Sequence, residues 1–529
     1  MMTQPFPPPE QSPQGSFGPP PPDQPSGFGP PPSGFGPPPP HQPSVPVVPT
    51  VPTAPMGPPG GGRRAGRRTA VVVAVVTAIT LIVGGGVWYA ASSGGGSKDK
   101  TSAKPGGDRE KARYIKPKEK VPADAKAFFS TKALQPELPK GESTWNSKGS
   151  WLTDKVYAKA SVSKIVGVEA TSGKRLWDLP KPGESCAGSP GVGKDGIAAV
   201  VTGATVKDDR GARGPCTEVT AFDVDTGEEL WTESITTGYQ KEKTPFNQVT
   251  ISGDTVAVGG LYGGAAFDLR TGKVLWEPKQ GEKCRDVGYG GGEQLVAVRS
   301  CGDFGSERYR VQVLDPATGK AQWTHKLPAG VQTPSVVSSK PVVVALDSGE
   351  IGPSGATSAF SLGERGKLRA RISLPAEKYL HACGKTSVVQ DCRGIVAGND
   401  RLYVPTKQRD GAKKYSSTNE IVAFSLATGK TTGQMLPAGD ASPVFPIRMD
   451  GGNVLVYKSA PFAKVVSVDG RTLKGEKVLL DARTRPSTLL PMQHELVFTH
   501  NKLYISSDLL ARPSSKAQET IMMYGFAAE

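Results

Sequence analysis

Histidine is the first residue type to test for catalysis, because imidazole acts as a general base and as a metal ligand near neutral pH. The chain contains five histidines. His494-Glu495 is followed by His500, but a zinc-protease helix needs two histidines four residues apart. In addition, apolar and polar residues alternate in this segment as they do in a β-strand. We therefore predict structural or solvated histidines here, with no catalytic residue and no metal site.

A second segment has the spacing of a phosphate-binding loop, because Gly188 is followed by Gly193-Lys194. Such a loop carries a Ser or Thr after the lysine to hold magnesium, and a helix follows it. Here Asp195 occupies that position and no helical periodicity follows. We interpret the segment as a glycine-rich turn, so no cofactor is predicted from it.

The six cysteines all lie after residue 180, and an even number confined to one region indicates disulfide bonds in an oxidising compartment. Cys284 and Cys301 stand at mirror-image ends of a predicted hairpin around Gly290-Gly291-Gly292. No spacing is Cys-x-x-Cys, which argues against a zinc site. The predicted bridges, each local to one structural repeat, are Cys186–Cys216, Cys284–Cys301 and Cys383–Cys392.

An uncharged stretch runs from Thr69 to Ala91. As a helix it would reach about 34 Å, enough to cross a hydrocarbon core of roughly 30 Å. A basic cluster at 63–68 precedes it, so the positive-inside rule places the N-terminus in the cytoplasm and the rest of the chain outside. A cleavable signal peptide is the alternative, but its apolar region would be shorter. We predict a single-pass transmembrane helix.

Two segments flanking this helix have no pattern of a folded domain. Residues 1–62 are rich in Pro and Gly, repeat the phrase Phe-Gly-Pro-Pro-Pro and contain few large apolar residues. Such a segment cannot bury enough surface to fold, so we predict a disordered cytoplasmic tail that is a spacer or a ligand for proline-recognition domains. Residues 92–126 are predicted to be a charged, flexible linker.

One phrase recurs after residue 126, in which an apolar pair leads to Asp or a small residue, a Gly turn and then Trp. We expect a strand that ends at the Asp, a tight turn in which Gly adopts positive φ, and a second strand whose Trp packs on the neighbouring repeat. The predicted blade-docking residues are Trp177, Trp231, Trp276, Trp323, Gly173, Gly227, Gly272 and Gly319.

Short strands at a period of about 45–50 residues are typical of a β-propeller. Seven full or degenerate copies are followed by a half copy at Met522–Phe526. A ring closes when the last blade takes its missing outer strand from the start of the domain, here at or near Phe128–Thr131. We therefore predict an all-β fold, a single β-propeller over residues 127–529, with eight blades favoured over seven.

The phrase Ala-x-Asp-x-x-Thr-Gly-x-x-x-Trp resembles the tryptophan-docking repeat of propellers of the pyrroloquinoline quinone (PQQ) type. That family includes quinoprotein alcohol dehydrogenases and the propeller lipoprotein of the bacterial outer-membrane assembly machinery. The resemblance implies that an enzymatic member would hold its quinone against a ring of two adjacent cysteines and would have longer blades. This chain has no adjacent cysteines. We expect a non-enzymatic member without a cofactor.

The sequence thus predicts a membrane-tethered extracellular propeller that binds a protein, a peptide or an anionic cell-envelope polymer. The formal net charge of +15 favours anionic partners, although it also keeps a domain soluble. No nucleic-acid partner is expected. Two alternatives remain open: a PQQ-dependent quinoprotein oxidoreductase, and a transmembrane sensor that couples binding outside to the cytoplasmic tail.

Overall fold

The computed structural model describes residues 115–204, 213–237, 242–279, 281–303, 305–332, 334–347, 355–384, 388–414, 416–439, 443–484, 489, 492–513 and 520–529. The tail at 1–62, the basic cluster at 63–68, the helix expected at 69–91 and the linker up to residue 114 lie outside these residues. Within them, no helix has the length and apolar character needed to cross a bilayer.

The described part of the chain forms eight antiparallel sheets of four strands, each of them a blade. Two strands precede the first blade, β1 (Phe129–Leu134) and β2 (Thr144–Asn146). Blade 1 contains β3 (Ser150–Leu152), β4 (Val156–Ser161), β5 (Lys164–Glu169) and β6 (Arg175–Pro180). Blade 2 contains β7 (Ser185–Gly188), β8 (Ile197–Thr202), β9 (Glu218–Asp223) and β10 (Glu229–Glu233).

A small hairpin, β11 (Thr236–Thr237) and β12 (Glu242–Lys243), follows blade 2. Blade 3 contains β13 (Gln248–Ser252), β14 (Thr255–Gly259), β15 (Ala265–Asp268) and β16 (Val274–Trp276). Blade 4 contains β17 (Cys284–Gly290), β18 (Leu295–Cys301), β19 (Arg308–Leu314) and β20 (Ala321–Lys326). Blade 5 contains β21 (Ser335–Ser339), β22 (Val342–Leu346), β23 (Ser358–Leu362) and β24 (Leu368–Ser373).

Blade 6 contains a further small hairpin between its second and third strands. Its strands in chain order are β25 (Val396–Gly398), β26 (Arg401–Pro405), the hairpin strands β27 (Arg409–Asp410) and β28 (Ser417–Thr418), β29 (Glu420–Ser425) and β30 (Thr431–Pro437). Blade 7 contains β31 (Val444–Asp450), β32 (Asn453–Lys458), β33 (Lys464–Asp469) and β34 (Lys477–Asp481).

Blade 8 is built from both ends of the domain. It contains β35 (Glu495–Thr499), β36 (Lys502–Ser506) and β38 (Ile521–Ala527), while β37 (Leu509–Ala511) pairs with β2. Its outer strand is β1, which pairs antiparallel with β38 so that Phe129 lies opposite Ala527. The prediction of eight blades is confirmed, and the alternative of seven is wrong. The closing strand is the one that the sequence indicated.

A buried apolar cluster lies at each of the eight interfaces between neighbouring blades in the described residues. Between blades 2 and 3, for example, Val219 and Ala221 pack with Val256 and Phe267. Each blade presents one apolar face to each neighbour, so no blade buries its apolar surface without both of them.

The repeated phrase forms the turn between the third and fourth strands of a blade. In blade 3, Asp268 Oδ1 accepts hydrogen bonds from the backbone N–H groups of Arg270 (3.2 Å) and Thr271 (2.9 Å) and from the Thr271 hydroxyl (2.7 Å). Gly272 follows with φ of 70°, a conformation that favours glycine. Blades 4 and 7 repeat these bonds. The aspartate therefore caps the turn.

These caps predict a loss of stability in acid. The hydroxyl of Thr271 beside Asp268, and that of Thr318 beside Asp315, lower the pKa of each carboxyl below its ordinary value. A depressed folded-state pKa stabilises the protein above the unfolded pKa, and this contribution is lost as pH falls through the folded value. We expect the urea midpoint of the wild type to fall more than that of an Asp268→Asn, Asp315→Asn variant between about pH 5 and about pH 2. If the urea midpoints of the wild type and of the variant fall equally with pH, the two caps do not have this role.

Each docking tryptophan lies against the turn glycine of the next blade. A Cβ added to Gly227, for example, would stand 2.4 Å from the Trp177 ring. The pairs are Trp177 on Gly227, Trp231 on Gly272, Trp276 on Gly319 and Trp323 on Gly366. Gly173 of blade 1 instead faces Phe129 and Thr131 of β1. At this interface the closing strand takes the place of a tryptophan-bearing strand.

The described end of the expected linker, residues 115–126, packs on blades 7 and 8. Ile115 O accepts a hydrogen bond of 2.6 Å from Gly452 N. The Glu119 side chain is 4% exposed, lies within ion-pair distance of Arg448 and accepts a hydrogen bond from His500 N (3.3 Å). The charge pattern of this segment does not predict these contacts, because their partners lie more than 300 residues away.

Candidate functional site

The alternating strand directions divide the connections of the ring between two faces. We call the side with the turns from first to second and from third to fourth strands the turn face. The loop face carries the connections from second to third strands and from blade to blade. Its longer connections include 203–217, 374–395 and 507–520. The first strand of each blade lies innermost and lines a central channel.

A cavity of about 380 Å³ lies in the channel at its loop-face end. We call it the mouth cavity. Its charged lining residues are Lys148, Asp391, Arg393, Glu495 and Asp508, and His494 also lines it. Apolar lining comes from Phe445, Ile447, Tyr457, Met492, Leu496 and Val497. A concave, largely apolar site with a few convergent polar groups is the usual form of a ligand site.

A buried ion pair supports one wall of the mouth cavity. Lys159 on β4 is 1% exposed, and its Nζ lies 2.9 Å from Glu495 Oε2. The other Glu495 oxygen accepts a hydrogen bond of 2.6 Å from Gly149 N. A lysine buried in this way needs a paired carboxylate, because an unpaired charge inside a protein is costly. This pair fixes β35 against blade 1.

A second charged group comes from the loop at 374–395. Arg393 Nη2 lies 3.0 Å from Asp508 Oδ2, and Arg393 Nε lies 3.4 Å from Asp391 Oδ1. Burial opposes the guanidinium charge, but these two carboxylates outweigh it and raise the pKa of Arg393. Beside them, burial lowers the pKa of His494, whose Nδ1 has no hydrogen-bond partner among the described residues. We expect a neutral imidazole at neutral pH.

The same loop closes the channel below the mouth cavity. Val389 O accepts a hydrogen bond of 2.7 Å from Val336 N. Gln390 Oε1 accepts hydrogen bonds from Gly291 N (3.0 Å) and from the Thr250 hydroxyl (2.7 Å). Gln390 lines both the mouth cavity and a second cavity of about 480 Å³, so it lies between the two. The loop is therefore an inward-folded plug bound to blades 3, 4 and 5.

The second cavity is lined mainly by residues of first-to-second-strand turns, five of them glycines, which places it at the turn face. It includes the segment from Gly191 to Lys194 that has the phosphate-loop spacing. The structure has only a 3-10 turn at Lys194–Gly196, and Lys194 Nζ pairs with Asp254 at 2.9 Å. The segment is a turn between β7 and β8, as the sequence predicts.

The structure pairs the cysteines in three disulfides: Cys186–Cys216, Cys284–Cys301 and Cys383–Cys392. The first lies within blade 2, and the second joins directly opposed residues of β17 and β18. The third differs from the expectation of a bridge within one repeat. It links two residues within the plug, which connects blade 5 to blade 6, and Cys392 lines the mouth cavity.

The structure separates the histidines that follow one another in sequence. His494 lines the mouth cavity, whereas His500 lies in the turn between β35 and β36 on the turn face. No group of three or more His, Cys, Asp or Glu residues that could hold a metal occurs in the described residues. The docking tryptophans lie between blades and do not line either cavity.

Sequence reasoning missed the charged residues of the mouth. The one local signal is Lys159, a lysine inside the otherwise uncharged strand Val156–Ser161 that is buried along its whole length. Its partner Glu495 is 336 residues away, and Arg393 and Asp508 are 115 apart. Ring closure alone brings these residues together.

A family model described as outer membrane protein assembly factor BamB matches residues 152–285 and 215–379. These ranges contain the clearest copies of the tryptophan-docking phrase, and the eight sheets close into a ring. The fold is a PQQ-type β-propeller. The match extends over blades 1 to 5, where the docking tryptophans and the glycines they contact occur.

Several known proteins are similar to this chain. Lupanine 17-hydroxylase [cytochrome c] of a Pseudomonas species is 28% identical over 123 residues, which are 21% of this chain and 18% of that protein. BamB of Moraxella catarrhalis has 15% identity and a TM-score of 0.42, covering 76% of this chain and 99% of that one. The quinohemoprotein alcohol dehydrogenase ADHIIG of Pseudomonas putida HK5 has 12% identity and a TM-score of 0.43, covering 79% of each.

The described residues of the mouth cavity do not match the quinone and calcium site that the resemblance implies. The disulfide at the mouth joins cysteines nine positions apart, so it does not form the ring of adjacent cysteines that the resemblance implies. The three carboxylates of the mouth already neutralise Lys159 and Arg393. Among the described residues of the mouth, these paired carboxylates are not a free set of oxygen ligands of the kind that calcium prefers.

Proposed function

We propose that the chain is a membrane-tethered, extracytoplasmic propeller that binds a partner protein through its loop face without catalysing a reaction. The observation that carries this proposal is the mouth cavity, where apolar walls and charged side chains from blades 1, 7 and 8 and the plug converge. The tether is the uncharged segment Thr69–Ala91, with its preceding basic cluster.

A protein segment suits the mouth cavity better than an anionic polymer does. Its cations Lys148 and Arg393 are matched by Asp391, Glu495 and Asp508, and Lys159 stands behind Glu495. The charges cancel, so the mouth offers no excess of positive potential to a polyanion. Apolar walls with a few fixed polar groups suit a side chain of a protein partner.

A photoreactive benzoylphenylalanine at position 148, in the full chain in intact cells, tests this proposal. Lys148 is half-buried and lines the mouth cavity. We expect irradiation to give one protein adduct of defined mass. The matched control is the same residue at position 430, an exposed lysine in a turn on the opposite face, which should give none. Equal adducts from both positions, or none from position 148, would rule out binding in the mouth cavity.

An oxidoreductase with bound quinone is the second candidate, favoured by the match to a hydroxylase. Under this alternative, addition of PQQ and calcium to the purified chain would change its visible absorbance and raise its melting temperature. We expect neither change, because the mouth carboxylates are already paired.

A further inference from the structure

We propose that Leu261 and Tyr262 form a rigid apolar knob that inserts into an apolar pocket of the partner protein. This inference rests on the proposed function and names a second contact on the loop face. The Leu261 side chain is 57% exposed and that of Tyr262 is 64% exposed. They lie in the connection from β14 to β15 of blade 3, which belongs to the loop face.

Four buried glycines flank the two exposed side chains, in the sequence Gly259-Gly260-Leu261-Tyr262-Gly263-Gly264. A Cβ on Gly259 would stand 2.5 Å from Gly288 Cα, and one on Gly260 would stand 2.6 Å from Pro245 O. The glycines thus allow the backbone to lie directly on its neighbours, and no other residue fits there without movement.

The second half of the loop is held in the same way. A Cβ on Gly264 would stand 2.4 Å from the Tyr289 hydroxyl, and Gly263 has φ of 121°. Gly263 N donates a hydrogen bond of 3.2 Å to Gly260 O, which closes a turn with Leu261 and Tyr262 at its tip. The two large side chains therefore project from a fixed turn, and this lowers the entropy lost when a partner binds.

The knob is continuous with the mouth cavity. Asn247 N donates a hydrogen bond of 3.0 Å to Gly259 O, and Asn247 lines that cavity. Tyr289, which packs on Gly264, also lines it. A partner seated in the mouth would therefore reach the knob. Tyrosine is enriched among the residues that dominate binding energy, because it combines a large apolar ring with a hydrogen-bonding hydroxyl.

A protein pocket explains the knob better than a membrane surface does. Interfacial binding to lipid is helped by neighbouring basic residues. Here Pro278 packs on Gly263, and its two sequence neighbours, Glu277 and Lys279, carry opposite charges.

Serine substitutions in the full chain that carries the photoreactive residue at position 148 test the knob. We expect a Leu261→Ser, Tyr262→Ser variant to lower the adduct yield about tenfold, which corresponds to about 1.4 kcal/mol. Met435, which is 56% exposed on the outer strand of blade 6, provides the matched control. Met435→Ser should keep the yield within about twofold. All variants should keep the wild-type melting temperature, because these side chains are exposed.

If the double variant keeps the wild-type adduct yield, the knob does not contact the partner, and the mouth cavity remains as the binding site. If position 148 gives no adduct in any background, binding in the mouth cavity fails, and the photoreactive residue at position 262 tests the knob separately. A protein adduct from position 262 supports the inference. A lipid adduct, or none, overturns it.

Discussion

Deletion of residues 127–134 from the full chain is expected to lower the melting temperature by more than about 10 °C and to broaden the unfolding transition. The deletion removes β1, the outer strand of blade 8, which pairs with β38 from Phe129 to Leu134. It also removes Phe129 and Thr131, which face Gly173 of blade 1. Because β1 completes blade 8 and also packs on blade 1, its loss costs more than a single core truncation of about 3–5 kcal/mol.

Thermal unfolding followed by circular dichroism measures this effect. The matched control is a deletion of equal length within residues 92–114, which the sequence predicts to be linker. We expect that control to keep the wild-type melting temperature. If both deletions leave the melting temperature unchanged, blade 8 does not depend on β1 and the ring is not closed by it.

Trp231→Ala is expected to be the most destabilising of the docking-tryptophan substitutions, by about 3–5 kcal/mol. Trp231 is 8% exposed, and its Nε1 donates a hydrogen bond of 2.9 Å to Leu269 O in the next blade. Its ring also lies 5.4 Å from that of Phe267. The alanine variant leaves both a cavity and an unpaired buried carbonyl, and each of these adds to the cost.

Urea unfolding of Trp231→Ala and Trp323→Ala compares a fully packed tryptophan with a half-buried one. We expect the Trp323 variant to lose less than half as much stability. Gly272→Ala provides an independent check, because its Cβ would lie 2.8 Å from the Trp231 ring and its φ is 70°. Equal losses at Trp231 and Trp323 would show that docking does not depend on this packing.

The blade pattern could be predicted from sequence because its determinants are local. One short phrase contains the Asp that caps the turn, the glycine with positive φ and the tryptophan a few residues later. Each copy of the phrase therefore predicts its own hairpin. The half copy at Met522–Phe526 further indicated a strand missing from the last blade. Phe129 and the residues after it supply that strand.

The binding site could not be predicted in this way, because its residues meet only after the ring has closed. Lys159 and Glu495 come from opposite ends of the domain, and a lysine in a strand gives no sign of its distant partner. The plug is likewise defined by long-range bonds such as that from Val389 N to Gln248 Oε1, 141 residues apart. Spacing between residues carries no information on such contacts.

Labelling of thiols on intact cells tests most directly whether this disulfide-bonded propeller lies outside the membrane. The six cysteines are all paired in the structure. With a membrane-impermeant maleimide, we expect no label on intact or lysed cells before reduction, and labelling on intact cells after treatment with an impermeant reductant. Labelling without reductant, seen only after lysis, would place free thiols inside the cell and would contradict an extracytoplasmic binding role.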